Sequence, residues 1–308
     1  MPNSRWQTQV KVEPSPFKLN HADSILALGS CFAEHVGEHL RRSGFEVLIN
    51  PFGILFNPSS ILIALNRILD KRLYTADDLT HYDGKYVSLD HHGKFNSTTA
   101  EATLNKINDS LISAHERLLE VKMLVITFGS AWGYEFNETK RVVANCHKIP
   151  QAKFSKVLLD HQQIGANFDQ LLAKVWQSNP ALNVVFTVSP VRHWKDGAEG
   201  NSISKSHLRL AAAALASKTQ CHYFPAFEIV IDELRDYRFF ADDLLHPSAP
   251  AIDYVWEKFS LCFMDDEVQD LAMKVAKLNL TLAHKSESPE SKLLKEKAKE
   301  EIRVLLSR

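Results

Sequence analysis

Hydrophobic positions along the chain fall into short unbroken runs separated by longer stretches with helical spacing. Residues 24–28, 45–49, 123–129, 183–188 and 221–224 are apolar runs of strand length, most of them closed by glycine, proline or serine. Between and after them, helical spacing predicts helices over 32–42, 58–70, 101–119, 153–178, 204–218 and most of 247–283. Pro58 suits a helix start, where the missing N–H costs nothing. Continuous apolar strands alternating with helices imply a parallel sheet covered on both faces. The expected fold is therefore α/β and doubly wound, with a flavodoxin-like sheet whose ligands sit at the carboxyl ends of the strands.

Three stretches interrupt that rhythm. Residues 71–99 are polar and turn-rich, and 132–150 read as a hairpin excursion, so both are expected to be insertions. Beyond 284 the chain changes character: a Ser- and Glu-rich linker precedes a charged, weakly apolar helix over 292–306. The organisation expected is one domain over 1–284 and a helical tail over 285–308, the tail being solvated or docked on a protein partner.

Composition narrows the classes. Lys+Arg total 36 against 37 Asp+Glu, a formal net charge of −1, which lacks the basic surplus of a general nucleic-acid binder. No apolar run approaches the roughly 18–20 residues that span a bilayer. Met1–Gln7 has no charged segment leading into an apolar one, so no secretory signal is expected. Four cysteines (Cys31, Cys146, Cys221, Cys262), none in CxxC spacing, give no disulfide framework or zinc ribbon. The expectation is a cytoplasmic protein with reduced thiols and neither cofactor nor metal. A metal site built from His91, His92, Cys146, His147 and Cys31 is the rival, although no spacing among them matches a metal loop.

Reactive residue types follow several strand ends. Gly29-Ser30-Cys31 places a nucleophile in a strand-to-helix turn, beside free helix N–H groups that favour a thiolate or an oxyanion. The same residues also read as a plain cap, with Ser30 as N-cap and Cys31 as a small buried side chain. Gly53 can bring a backbone N–H close to a ligand, or simply make a turn. Asp243 and His246 are three apart, so the carboxylate can orient an imidazole that acts as a base.

Several of these segments together are distinctive. Gly29-Ser30-Cys31-Phe32-Ala33 spells the motif of the GSCFA family. The chain further resembles that family in Asn50-Pro51-Phe52-Gly53, Ala144-Asn145-Cys146-His147, Ser189-Pro190-Val191-Arg192-His193 and Asp243-Leu244-Leu245-His246. The family is similar in fold to the SGNH/GDSL hydrolases. That resemblance implies a three-layer α/β/α domain with a nucleophile after the first strand and an Asp-x-x-His near the end. It also implies an oxyanion hole built from the nucleophile's amide, a glycine and an asparagine.

Aligned on Gly29, Ser30 takes the aspartate place of the Gly-Asp-Ser turn and Cys31 the nucleophile's. Gly53 matches the second glycine, and Asp243 with His246 the final block. The third block departs, with Ala131 where asparagine is expected. Asn145 reaches in, Ser130 donates its hydroxyl, or that donor is missing. A thiol at a helix N-terminus near a histidine is expected to ionise near neutral pH. His147, Arg192 and His193 either line the pocket, Arg192 holding an anionic group, or make structural hydrogen bonds. The implied activity is hydrolysis or transfer of an acyl ester, an acylated carbohydrate being one candidate substrate. The alternative is a ligand-binding module that keeps the fold without turnover.

Overall fold

A computed structural model describes residues 8–283 and 288–307. The reading of Met1–Gln7, and the Ser286–Glu287 part of the linker reading, lie outside those residues. In chain order the first elements are β1 (Ser24–Gly29), α1 (Cys31–Arg42), β2 (Glu46–Ile49), α2 (Pro58–Leu69), β3 (Thr80–Tyr82), β4 (Lys85–Val87) and α3 (Ala100–Leu118). There follow β5 (Met123–Phe128), β6 (Trp132–Phe136), β7 (Arg141–Val143), β8 (Phe154–Leu158), α4 (His161–Ser178), β9 (Asn183–Val188), α5 (Gly197–Ala216) and β10 (Cys221–Phe224). The chain closes with α6 (Ala226–Glu228), which runs into a π-helical turn, then α7 (Ala249–Phe263), α8 (Asp266–Ala283) and α9 (Pro289–Leu306).

The five apolar runs form one parallel sheet in the order β10-β9-β5-β1-β2. The chain runs outward from β1 to β2, then crosses back to β5 and continues the other way. The strand order therefore reverses between β1 and β5, which is where doubly wound sheets open a crevice. Period-two alternation sorts the side chains. Leu26, Leu28, Leu124 and Ile126 pack under α2, α3, α4 and α5 on one face. Ile25, Ala27, Met123 and Val125 pack under α1, α7 and α8 on the other. The result is the expected three-layer α/β/α domain.

Smaller sheets decorate it. β3 and β4 make an antiparallel hairpin, and β7-β6-β8 an antiparallel three-stranded sheet. The helix expected from 153 is corrected here: residues 154–158 are strand β8, and α4 starts at His161 under an Asp160 N-cap. β8 pairs with β6 from Trp132↔Leu158 to Phe136↔Phe154, and that ladder outweighs local helical spacing. α5 begins seven residues before the expected 204, because its first turns carry glycine and polar residues without an apolar period. The tail helix α9 buries Ala298, and Leu306 comes against Gly44. Among the described residues no helix is long and apolar enough to cross a membrane.

Candidate active site

β1 ends in a turn that only glycine can make. Gly29 has φ +137°, and a Cβ there would lie 2.1 Å from the Thr127 carbonyl oxygen of β5. Its N–H is donated to Asn50 Oδ1 at 2.9 Å, and the Ser30 N–H to Thr127 O at 3.2 Å. Ser30 is buried and caps α1, its Oγ accepting the Phe32 N–H at 3.3 Å. Cys31, the first residue of the helix, is partly exposed with a free thiol. Of the two candidate nucleophiles, the cysteine is the accessible one.

The thiol's acidity departs from expectation. Burial pushes the Cys31 thiol up, and the Glu34 carboxylate adds to this. Backbone N–H groups of the helix start and the Lys205 ammonium pull the other way without prevailing. The helix N-terminus does favour the thiolate, but desolvation wins.

Gly53 is also reassigned. Its N–H is donated to Asn50 O at 2.7 Å, so in this structure it is engaged in a turn rather than free for an oxyanion. The φ of +77° and a virtual Cβ 2.2 Å from His92 Cβ show why glycine stands there: the 88–96 loop packs against it. Asn145 and His147 belong to that loop's surroundings. Asn145 Oδ1 accepts the His147 N–H at 2.8 Å, and the His147 ring bonds Ser88 O at 2.8 Å and the Asn96 amide at 3.1 Å. Burial lowers the His147 pKa.

The third block is closed on itself. The Gly129 and Ser130 N–H groups both point to Phe56 O, at 2.9 Å each. Ser130 Oγ lies 3.2 Å from Ser204 Oγ and accepts the Trp132 N–H. Its hydroxyl is thus bound inside the fold and not presented to a ligand.

Asp243 and His246 do pair. Nδ1 and Oδ2 are 2.6 Å apart, while Asp243 Oδ1 accepts the Leu245 and His246 N–H groups at 2.9 and 3.0 Å. Those two backbone donors, with the imidazole, hold the carboxylate down at about 2. The loop is pinned by Ala241 N–H to His246 O and Arg192 N–H to Leu245 O. With Nδ1–H facing Asp243, Nε2 is the ring atom left to take a proton. A positive charge on His246 acts to lower the pKa of His35, one turn along α1 from Cys31, and that of His193.

Arg192 and His193 follow β9. Arg192 lines a cavity of about 500 Å³ together with Trp194, Arg235, Tyr237, Phe240 and Asp243. His193 stands edge-on to Phe56 at 5.5 Å, its Nε2 buried without a partner. Burial first, then Lys205, pushes its pKa down to about 4, so the ring is neutral near pH 7.

The roles of two residues escaped the sequence reading. Asn50 ties the turn after β1 to the end of β2. Lys205 is 3 % exposed and donates to Gly129 O and Ser189 O, both at 2.7 Å. The signal for it was its phase: Lys205 falls in the buried stripe of α5 with Asn201, Leu208, Ala212 and Leu215. The soft-ligand metal set does not assemble. Among the described residues, the three-membered group with ligand atoms within 4.8 Å is Asp160, His161 and His207, between α4 and α5.

No curated protein matches this chain in sequence. In fold it overlaps a carbohydrate esterase family 3 protein of Talaromyces cellulolyticus, with a TM-score of 0.36 and 9% identity over 82% of this chain and 98% of that one. It also overlaps a carbohydrate esterase family 2 enzyme with a carbohydrate binding domain, from Corynascus thermopiles (Myceliophthora fergusii). There the TM-score is 0.37 and identity 11%, over 86% of this chain and 68% of that one. Overlaps at that level are too loose to carry chemistry across. The GSCFA family, by contrast, matches residues 24–259, from the first strand of the sheet into α7, and the chain belongs to that family.

Proposed function

We propose that the protein is an acyl hydrolase or acyltransferase acting on an ester, with Cys31 as nucleophile and His246, oriented by Asp243, as base. The observation that carries the reading is the 2.6 Å Asp243–His246 pair, whose imidazole acts electrostatically on His35, one turn along α1 from Cys31. In the proposed reaction Cys31 Sγ attacks the acyl carbonyl carbon, and the carbonyl electron pair moves onto oxygen. The Cys31 N–H at the start of α1 faces that oxyanion. Collapse forms the thioester and expels the alkoxide, which takes the thiol's proton from His246 Nε2. His246 then takes a proton from water or an acceptor hydroxyl, which attacks the thioester and frees the thiol.

Arg192 and Arg235, with the faces of Trp194 and Tyr237, suit an oxygen-rich or anionic substrate portion such as an acylated sugar. Gly53 and Ser130 enter the oxyanion site only after releasing their present partners. Those engaged donors, and a thiol pushed up by burial, favour the second reading, a binding module without turnover.

A panel of small acyl esters and acylated sugars, run with wild type, Cys31→Ala and His246→Ala, separates the two. Enzymatic turnover should fall on the order of 10³-fold or more in each variant. Binding of an acylated sugar with no turnover above buffer would leave the module, and undiminished turnover in Cys31→Ala would remove the cysteine from the chemistry.

A further inference from the structure

We infer that Lys205 is the charge partner of the Cys31 thiolate, an ammonium held at the carboxyl edge of the sheet by the two carbonyl groups just past β5 and β9. The inference deepens the thiol-based reading and rests on Cys31 being the reacting group. A lysine is almost never fully buried without an acid beside it. Among the described residues no carboxylate lies within 4.0 Å of this one; its nitrogen is held by Gly129 O and Ser189 O, and the Phe227 ring is 5.9 Å away. Both carbonyls stand at the carboxyl edge of the sheet, one of them next to the nucleophile turn. A Cβ on Gly129 would lie 3.1 Å from Ser30 Cβ. An ammonium has three N–H donors, and two are engaged by these carbonyls, so one remains for an anion.

The electrostatics agree in both directions. Burial pushes Lys205 down to about 7, and Cys31 is the charge that holds it up; reciprocally, Lys205 pulls the thiol down against burial and Glu34. The other titratable groups that act here are Glu34, on Cys31, and His193 after β9, which feels Lys205, Asp196 and His246. Each group, when charged, stabilises the charged form of the other, working against the desolvation cost that both carry. No proton is consumed by the pairing. The thiol proton leaves through His246 to the departing oxygen, and Lys205, in its ammonium form, faces first the thiolate and then the polarised thioester. It is a positioning residue that acts through Cys31.

The test needs no substrate. The full-length protein is alkylated with iodoacetamide between pH 6 and 10, and the Cys31 and Cys146 peptides are followed by mass spectrometry. Lys205→Gln, which keeps amide donors for the carbonyls but removes the charge, should slow Cys31 alkylation at pH 7 by about tenfold or more. Its apparent pKa should rise by about one unit or more, with Cys146 unchanged. Lys205→Arg should retain most of the wild-type rate. A Lys205→Gln profile that overlays wild type overturns the inference.

Should Lys205→Gln fail to fold, Cys31→Ala decides the matter from the other side. By reciprocity the Lys205 titration, read from its labelled ε-carbon by NMR, should move down by at least half a unit relative to wild type; an unmoved midpoint overturns the inference. Absence of ester turnover would count against the proposed function alone, since neither readout involves an ester.

Discussion

Gly29 and Gly53 share a backbone freedom and use it for different ends. Gly29 lets β1 pass against the Thr127 carbonyl, and Gly53 lets the 88–96 loop sit on the turn after β2. A methyl group on either meets an atom closer than 2.3 Å away and forces a positive φ on an L-residue. Gly29→Ala and Gly53→Ala are each expected to destabilise by roughly 2–4 kcal/mol or to prevent folding, read as a shift in urea midpoint. Asp243→Asn belongs to the same scale. It keeps the shape of the loop but reverses the hydrogen-bond sense at Nδ1, and ester turnover should drop on the order of 10²–10⁴-fold with little change in stability. The sequence made both glycines visible as turn makers. It did not make visible that the Gly53 N–H would be taken by Asn50 O, because hydrogen-bond partners are settled by how the loop closes and not by residue type.

At the scale of elements, α1 carries a cap and a candidate nucleophile in adjacent positions, and a substitution can tell them apart. Ser30→Ala removes the oxygen that accepts the Phe32 N–H and should cost about 1 kcal/mol in chemical denaturation. Ester turnover should persist within about tenfold; its abolition at near-native stability would make Ser30 the nucleophile instead. The five sheet strands were legible as unbroken apolar runs, and the helices that cover them as periodic ones. β8 was not: Phe154-Ser155-Lys156-Val157-Leu158 merges by eye into the helix that follows, and only its ladder with β6 distinguishes it. Lys205 was legible in principle, since a charged residue in phase with a buried stripe is anomalous, but spotting it requires giving phase more weight than residue type.

For the molecule as a whole, acid is the informative perturbation. His91 is fully buried, stacked on Phe52 at 4.3 Å, and burial pushes it down to about 3; His193 is held down to about 4. Both rings are neutral in the folded protein. In the unfolded chain they take up protons below a pKa of about 6.5, so stability is lost as pH falls from there towards 3–4. The loss should be on the order of 5 kcal/mol between pH 7 and 4.5 by urea denaturation, and His91→Phe should roughly halve it. The parallel, doubly wound sheet covered on both faces followed from the alternation of strands and helices. The closed third block did not, since Ser130 meets Ser204 across more than seventy residues of chain.

That separation has a bearing on how the protein is made. The turn at Cys31, the lysine on α5 and the histidine past residue 240 come from the beginning, middle and end of the sheet domain. A ribosome extending this chain therefore exposes the thiol long before the groups that would harness it exist. Through most of synthesis Cys31 is an ordinary cysteine, and the proposed chemistry switches on only when the last loop folds home.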